Sequence, residues 1–238
     1  MTPNNISHKK LIEIIELQTE VVQQGMDLGS IMNLVVQRAQ TIAHADETIQ
    51  LLSLISELID AAMFSALKNE KNEVFYKATH DFLTGISNRS LFYDRLRQRL
   101  SQAKRKNENF AIIMLDMDGL KQINDGYGHR TGDAAIKEVA LRIKNSLRES
   151  DTVSRLGGDE FGVIVFNEED CGKLSVWIER IYAAIARSFT FEEHSVELKV
   201  SAGYSVFPQD GNELEALIEK ADQLMYEEKK ARKGLKAV

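Results

Sequence analysis

A change of grammar near His80 constrains the fold more than any other feature of this chain. Beyond it, short apolar runs alternate with stripes of helical period; before it, no convincing strand occurs between Leu11 and about Ala78. In the first stretch Leu11, Ile14, Ile15, Val21 and Val22 recur at roughly helical spacing until Gly25 interrupts them. Asp27 is a candidate cap for a second helix carrying Ile31, Leu34, Val35, Ala39 and Ile42. A third stripe runs through Leu51, Leu54, Ile55, Leu58, Ile59, Ala62 and Ala66, then past the polar Lys68–Glu73 run to Val74, Phe75 and Ala78. About 70 residues of helix make a thin core alone. Two readings stand, a small helical bundle and a dimerising stalk, and self-association through these helices is expected.

The second stretch reads differently. Asn88 or Ser90 opens a helix with Leu91, Phe92, Leu96 and Leu100 on one face, and Phe110–Leu115 reads as a buried strand. Ala134–Leu147 reads as an amphipathic helix. Thr152–Leu156 and Phe161–Phe166 read as a hairpin turning at Gly157-Gly158, where glycine accepts positive φ. A helix over Leu174–Ala186, one or two strands over Val196–Phe207 and a helix from about Glu213 to Lys230 complete the pattern. Strands interleaved with helices imply an α/β or α+β domain, a sheet with helices packed on it.

The whole chain has 238 residues, enough for one mid-sized domain with an appendage or two small ones. Its formal charge of −6 argues against a general nucleic-acid coat but leaves room for an anionic ligand in a local basic pocket. Cys171 is the single cysteine, so neither an internal disulfide nor a thiolate metal cluster is available. The apolar run Ala111–Leu115 is too short for a membrane span, and Met1–Lys10 lacks a signal-peptide pattern. A cytoplasmic protein with no membrane segment and no nucleic-acid partner is the expectation.

Three segments carry candidate chemistry. Asp116-Met117-Asp118 ends the apolar strand, and paired carboxylates at a strand end can hold Mg²⁺ against phosphates. The plain alternative is a solvated strand terminus with a helix cap. Gly157-Gly158-Asp159-Glu160-Phe161 brings backbone close to a ligand and follows it with two acids. Alone it could be a solvated turn, but beside Asp116 it suggests a two-metal site for nucleotidyl transfer. The polar, glycine-rich Lys121–Asp133 segment runs into a helix. There Asn124 and Asp133 complement the edge of guanine, Lys121 can meet a phosphate, and His129 reads more simply as structural.

Asp81-Phe82-Leu83-Thr84-Gly85-Ile86-Ser87-Asn88-Arg89, the Leu115–Asp133 segment and Arg155-Leu156-Gly157-Gly158-Asp159-Glu160-Phe161 together resemble the successive motifs of the GGDEF family. Members of that family are diguanylate cyclases, which condense two GTP into cyclic di-GMP and two pyrophosphates. The likeness covers about residues 78 to 235, in order and at the family's spacing. It implies a palm-like central sheet flanked by helices, and a division into a helical segment over 1–78 and a catalytic domain over 79–238.

The resemblance also implies roles. Asp116, the backbone carbonyl of Met117, Asp159 and Glu160 would hold two Mg²⁺ or Mn²⁺ per active site, with Asp159 a further ligand or an aid to deprotonation. Asn124 and Asp133 would read guanine, and Lys121 and Lys229 would meet phosphate, with Lys121 and Glu160 counted among the catalytic groups. The backbone around Gly119, Leu120 and Gly158 would approach the nucleotide. The chain departs from the family after Lys229, where Arg232-Lys233 replaces the usual glycine and arginine; Lys233 could stand in for the arginine without its bidentate fork. Arg148, Asp151 and Arg180 look like the family's inhibitory product site, against the plain alternative of a surface Arg–Asp pair.

Because each domain binds one GTP, the family's reaction needs two active sites facing one another, and the N-terminal helices would raise the effective concentration of the second. Leu17–Ala45 and Thr48–Ala66 resemble the opening and closing helices of GAF sensor domains without the sheet between them, a remnant reading. Two alternatives share parts of the pattern. A catalytically silent receptor for GTP or cyclic di-GMP would have no need of metal carboxylates, and a polymerase or adenylyl cyclase of palm-like chemistry would leave Arg148 and Asp151 unexplained.

Overall fold

The computed structural model describes residues 48–166 and 174–234. The chain divides into two compact units between Tyr76 and Lys77. The third expected helix is present as α1 (Thr48–Thr79), which crosses that boundary, and the polar Lys68–Glu73 run does not interrupt it. Its side chains Met63, Phe64, Leu67, Val74, Phe75 and Tyr76 are exposed. The two earlier stripes, and with them the opening helix of the GAF reading, lie outside the described residues.

The second unit alternates strands and helices as the pattern requires. In chain order it contains β1 (Ser87–Asn88), α2 (Arg89–Lys106), β2 (Phe110–Met117), α3 (Leu120–Tyr127) and α4 (His129–Asn145). There follow β3 (Thr152–Gly157), β4 (Glu160–Val165), α5 (Leu174–Ile185), β5 (Phe189–Phe191), β6 (His194–Val196), β7 (Val200–Phe207) and α6 (Leu214–Gly234). The main sheet has the order β1-β3-β4-β2-β7; β1 and β3 run parallel, and the other neighbours antiparallel. A separate β5–β6 ribbon stands beside it.

β2 lies between β4 and β7 and is buried along its whole length, which is why its sequence is continuously apolar rather than alternating. Its pleat still sorts side chains by parity. Ala111, Ile113, Leu115 and Met117 join Val163, Val139, Ile143 and Ile181 in one core, and Phe110, Ile112 and Met114 join Phe92, Leu96, Ile164 and Leu217 in the other. Thus α4 and α5 cover one face and α2 and α6 the other, a mixed α+β sandwich of helices about a central sheet. The Asn88 side chain caps α2 by accepting the Leu91 N–H at 3.0 Å. At Gly203 in β7 a Cβ would stand 2.1 Å from the Ala221 carbonyl and 2.2 Å from the Met225 nitrogen. Helix α6 therefore rests directly on the backbone of β7, and this contact fixes where its C-terminal half lies.

The elements follow the sequence expectations except at the margins. Helix α4 begins at His129, earlier than expected, α6 extends to Gly234, and Val196–Phe207 divides between the end of β6 and β7. Helix α3 and strands β1 and β5 were not expected.

Candidate active site

The end of β2 and the β3–β4 hairpin meet through register. Asp116 is the direct cross-strand partner of Glu160, which puts both side chains on one face of the sheet. Asp116 is buried and Glu160 exposed. At the hairpin tip Gly158 takes φ +52°, a left-handed turn position. Arg155 holds that turn, donating Nε and Nη2 to the Gly158 carbonyl at 3.0 and 2.8 Å. Its Nη1 reaches the Asp81 carboxylate at 3.1 Å. Asp81 also accepts the Thr84 N–H at 2.9 Å and hydroxyl at 2.7 Å. Burial pushes the Asp81 carboxyl up, but the Thr84 and Arg155 contacts outweigh burial and leave it below the usual carboxylate range. The Met117 N–H donates to the Asp159 carbonyl at 2.9 Å, tying the turn to the end of β2.

Lys229, on α6, donates Nζ to Asp116 Oδ1 at 2.5 Å. The two sides of this pair are unequal. Burial, with repulsion from Asp159 and Asp118, raises the Asp116 carboxyl above its ordinary value despite the hydrogen bond from Lys229. For the ammonium, burial alone would lower the value, but Asp116, Asp159 and Asp118 outweigh it and raise Lys229. Burial is thus the first cause of the Asp116 rise, while three carboxylates act on the one Lys229 ammonium.

Beside the cluster opens a cleft of about 490 Å³ lined by Met117, Asp118, Gly119, Leu120, Lys121, Gln122, Asp159, Lys199, Lys229 and Arg232. Its volume lies within the range of small-ligand sites. The N-terminus of α3, capped by Gly119, opens onto it, and backbone N–H groups there favour an anion. Lys199 and Arg232 are cations that motif reasoning did not place here. Arg232 is held by Glu228 Oε1, 3.0 Å from Nε and 2.8 Å from Nη2, and lies 4.7 Å from the centroid of the Tyr182 ring. Glu228 in turn accepts the Tyr182 hydroxyl and the Ala202 N–H through Oε2. The side chain of Lys233, expected to serve phosphate, lies outside the described residues. The cleft's guanidinium is Arg232, a position that only the α6–β7 packing identifies. Asp118, the second acid of the Asp-x-Asp pair, accepts the Ser201 hydroxyl at 3.1 and 3.0 Å.

Asn124 lies on α3 and Asp133 on α4, either side of the junction between the two helices. A Cβ at Gly132 would stand 1.8 Å from Asn124 Oδ1, so the Asn124 amide occupies the space that a side chain at 132 would take. Asp133 follows and is exposed. Lys121 is exposed at the cleft, and Leu120 half-buried beside it.

The last group forms elsewhere on the unit. Asp151 accepts the Arg148 N–H at 3.0 Å and the Phe166 N–H at 3.3 Å. Arg148 lies 5.5 Å and Arg180 4.7 Å from the ring centroid of Trp177. Arg148 and Arg180 thus flank one aromatic side chain that sequence reasoning did not single out, while Asp151 is tied to the Arg148 backbone.

Among the described residues no three His, Cys, Asp or Glu side chains form a group that could hold a metal ion. The donor chemistry nonetheless fits a divalent cation: Asp159 and Asp118 both repel the Asp116 carboxylate, Glu160 stands opposite Asp116, and oxygen donors of this kind suit Mg²⁺ or Mn²⁺. Also among the described residues, no helix is long and apolar enough to cross a membrane.

Comparison with known proteins places this arrangement. The family model "Diguanylate cyclase, GGDEF domain" matches residues 78–234. The bifunctional diguanylate cyclase/cyclic di-GMP phosphodiesterase MucR of Pseudomonas aeruginosa is 33% identical over 206 residues, 87% of this chain and 30% of that protein. The diguanylate cyclase TpbB of the same species is 34% identical over 169 residues, covering 71% of this chain and 39% of TpbB. The chain thus spans between 30% and 39% of the length of these curated relatives. Among solved structures, the GGDEF domain of TpbB superposes with a TM-score of 0.62 at 34% identity, covering 64% of this chain and 89% of that one. The coiled coil and GGDEF domain of DgcB from Caulobacter crescentus, in complex with c-di-GMP, gives a TM-score of 0.67 at 28% identity over 75% of this chain and 95% of that one. With the paired strand-end carboxylates, the Gly-Gly turn and the matching sheet in place, the chain belongs to the GGDEF family of diguanylate cyclase domains.

Proposed function

We propose that this chain condenses two GTP into cyclic di-GMP, releasing two pyrophosphates, with one GTP held by each subunit of a homodimer. The observation that carries the reading is the Asp116–Glu160 cross-strand pair beside a cleft whose lining includes Lys121, Lys199, Lys229 and Arg232. The N–H groups around Gly119 and Leu120, with Lys121, cradle the phosphates. Lys229 exchanges its bond to Asp116 for one to phosphate as the nucleotide enters. Asn124 and Asp133 read the guanine edge, and the Gly158 backbone lets the nucleotide approach the turn. Asp116, the Met117 carbonyl, Asp159 and Glu160 would hold two Mg²⁺ or Mn²⁺, which when bound neutralise the triphosphate and acidify the attacking 3′-hydroxyl. Asp159, in the turn, would assist removal of that proton. Each 3′-oxygen attacks the α-phosphorus of the other nucleotide, and pyrophosphate leaves on the opposite side.

The catalytic domain covers 79–238 and the helical segment 1–78. The exposed apolar side chains of α1 support pairing of two such segments, which sets two half-sites face to face at high effective concentration. A domain that consumes GTP works in the cytoplasm. Arg148, Asp151 and Arg180 bind the product and restrain turnover. The proposal is tested by stripping bound product with a phosphodiesterase, removing that enzyme, then supplying GTP and Mg²⁺ and following cyclic di-GMP by chromatography. Product should form with wild type and cease with Glu160→Gln, and Arg148→Ala should raise the plateau. Unchanged turnover in Glu160→Gln would defeat the metal-site reading.

A further inference from the structure

Trp177 is the only tryptophan of the chain. It lies on α5, is 5% exposed, and is flanked by two exposed arginines whose guanidinium carbons stand 5.5 Å (Arg148) and 4.7 Å (Arg180) from its ring centroid. Among the described residues no ion pair to a carboxylate is found for Arg180. Two like charges gathered at one ring repel, and the ring quadrupole offsets part of that repulsion while the indole covers the apolar stems. The arrangement also selects orientation. A guanidinium held against a ring has few rotamers left, so its outward face and N–H fork stay presented to solvent rather than averaging over the long side chain. Asp151 is fixed independently by the Arg148 and Phe166 N–H groups, so the acceptor and both donors are set before a ligand arrives.

We propose that Trp177 is the positioning residue of the product site: it preorganises Arg148 and Arg180 into a rigid dicationic platform for a ligand with stacked planar bases and two phosphates. This rests on the reading of Arg148, Asp151 and Arg180 as that site. Trp177 acts through the arginines rather than by touching the reacting atoms. Its emission also reports directly on the platform, since no other tryptophan contributes.

The test titrates cyclic di-GMP, without GTP, into the full chain stripped of bound product, with affinity read by calorimetry and tryptophan emission read in parallel. Saturable change in emission at the calorimetric midpoint is expected for wild type. Trp177→Leu should weaken binding about tenfold, and Trp177→Phe, which keeps a ring, should bind within about threefold of wild type. Arg148→Ala should abolish binding at this site. Wild-type affinity in Trp177→Leu, equal weakening in the Leu and Phe variants, or silent emission at saturation would each overturn the role of Trp177. Binding untouched by Arg148→Ala would instead overturn the product-site reading beneath it, so the two failures are separable.

Discussion

Replacing Lys229 with methionine isolates its ion pair with the half-enclosed Asp116 at the head of the cleft. Lys229 and Asp116 have 23% and 10% of their side chains exposed, between a surface pair and a fully buried one. Removing one partner of a buried pair costs about 3–5 kcal/mol, and a surface pair contributes about 0–1 kcal/mol. The intermediate setting gives a loss of about 2 kcal/mol, or about 4–8 °C in melting temperature for a unit of this size. The loss should depend on pH. Asp116 is already raised above its ordinary value, and without Lys229 it rises further, so its ionised form in the folded state is the costly one. The deficit should therefore be full near pH 7 and fade as the pH falls through the raised range of the Asp116 carboxyl, where it becomes protonated. Magnesium at about ten times its dissociation constant should return about 1.4 kcal/mol, and more to the variant than to wild type, because no ammonium competes for Asp116. Differential scanning fluorimetry across pH and Mg²⁺ concentration reads all three effects. An unchanged melting temperature at pH 7, or equal stabilisation of both proteins by Mg²⁺, would refute the reasoning.

Other substitutions probe the supports around the site. Gly132→Ala should evict the Asn124 amide, raising KM for GTP about tenfold and reducing the preference for GTP over inosine triphosphate, measured by initial rates. Asp81→Asn should cost about 1–2 kcal/mol near pH 7. Because the Asp81 carboxyl is held below its ordinary value, that advantage of wild type should vanish as pH falls through and below about 4, which denaturant titrations at several pH values would reveal. Gly203→Ala should push α6 off β7, costing about 3 kcal/mol and lowering turnover with it, since Lys229 and Arg232 ride on that helix. If Gly203→Ala melts with wild type, the packing account of the cleft is wrong.

Much of the catalytic unit was legible because its signals are local. β2 is an unbroken apolar run since both of its faces are covered, and Gly157-Gly158 marks the hairpin because left-handed φ there requires glycine. What escaped reading depends on tertiary placement. Helix α3 was hidden because Lys121–Tyr127 is polar, contains Gly126 and buries only Ile123. Strand β1 is two residues long, held by pairing with β3 rather than by any pattern of its own. Arg232 enters the cleft because α6 rests on Gly203 and Glu228 holds the guanidinium, neither visible from spacing along the chain. Trp177 belongs to no motif, and only the fold brings Arg148 to it from beyond α4. The motif spacing indicated which residues to watch; the sheet register explains why Asp116 and Glu160 face one another.

Condensation of two GTP is read through both of its products. Chain freed of bound nucleotide is incubated with GTP and Mg²⁺, and cyclic di-GMP and pyrophosphate are quantified together over time. The account predicts two pyrophosphates for each cyclic di-GMP, and a rate that falls faster than protein concentration on dilution. Tight binding of cyclic di-GMP with no pyrophosphate released would contradict it and identify a receptor module instead.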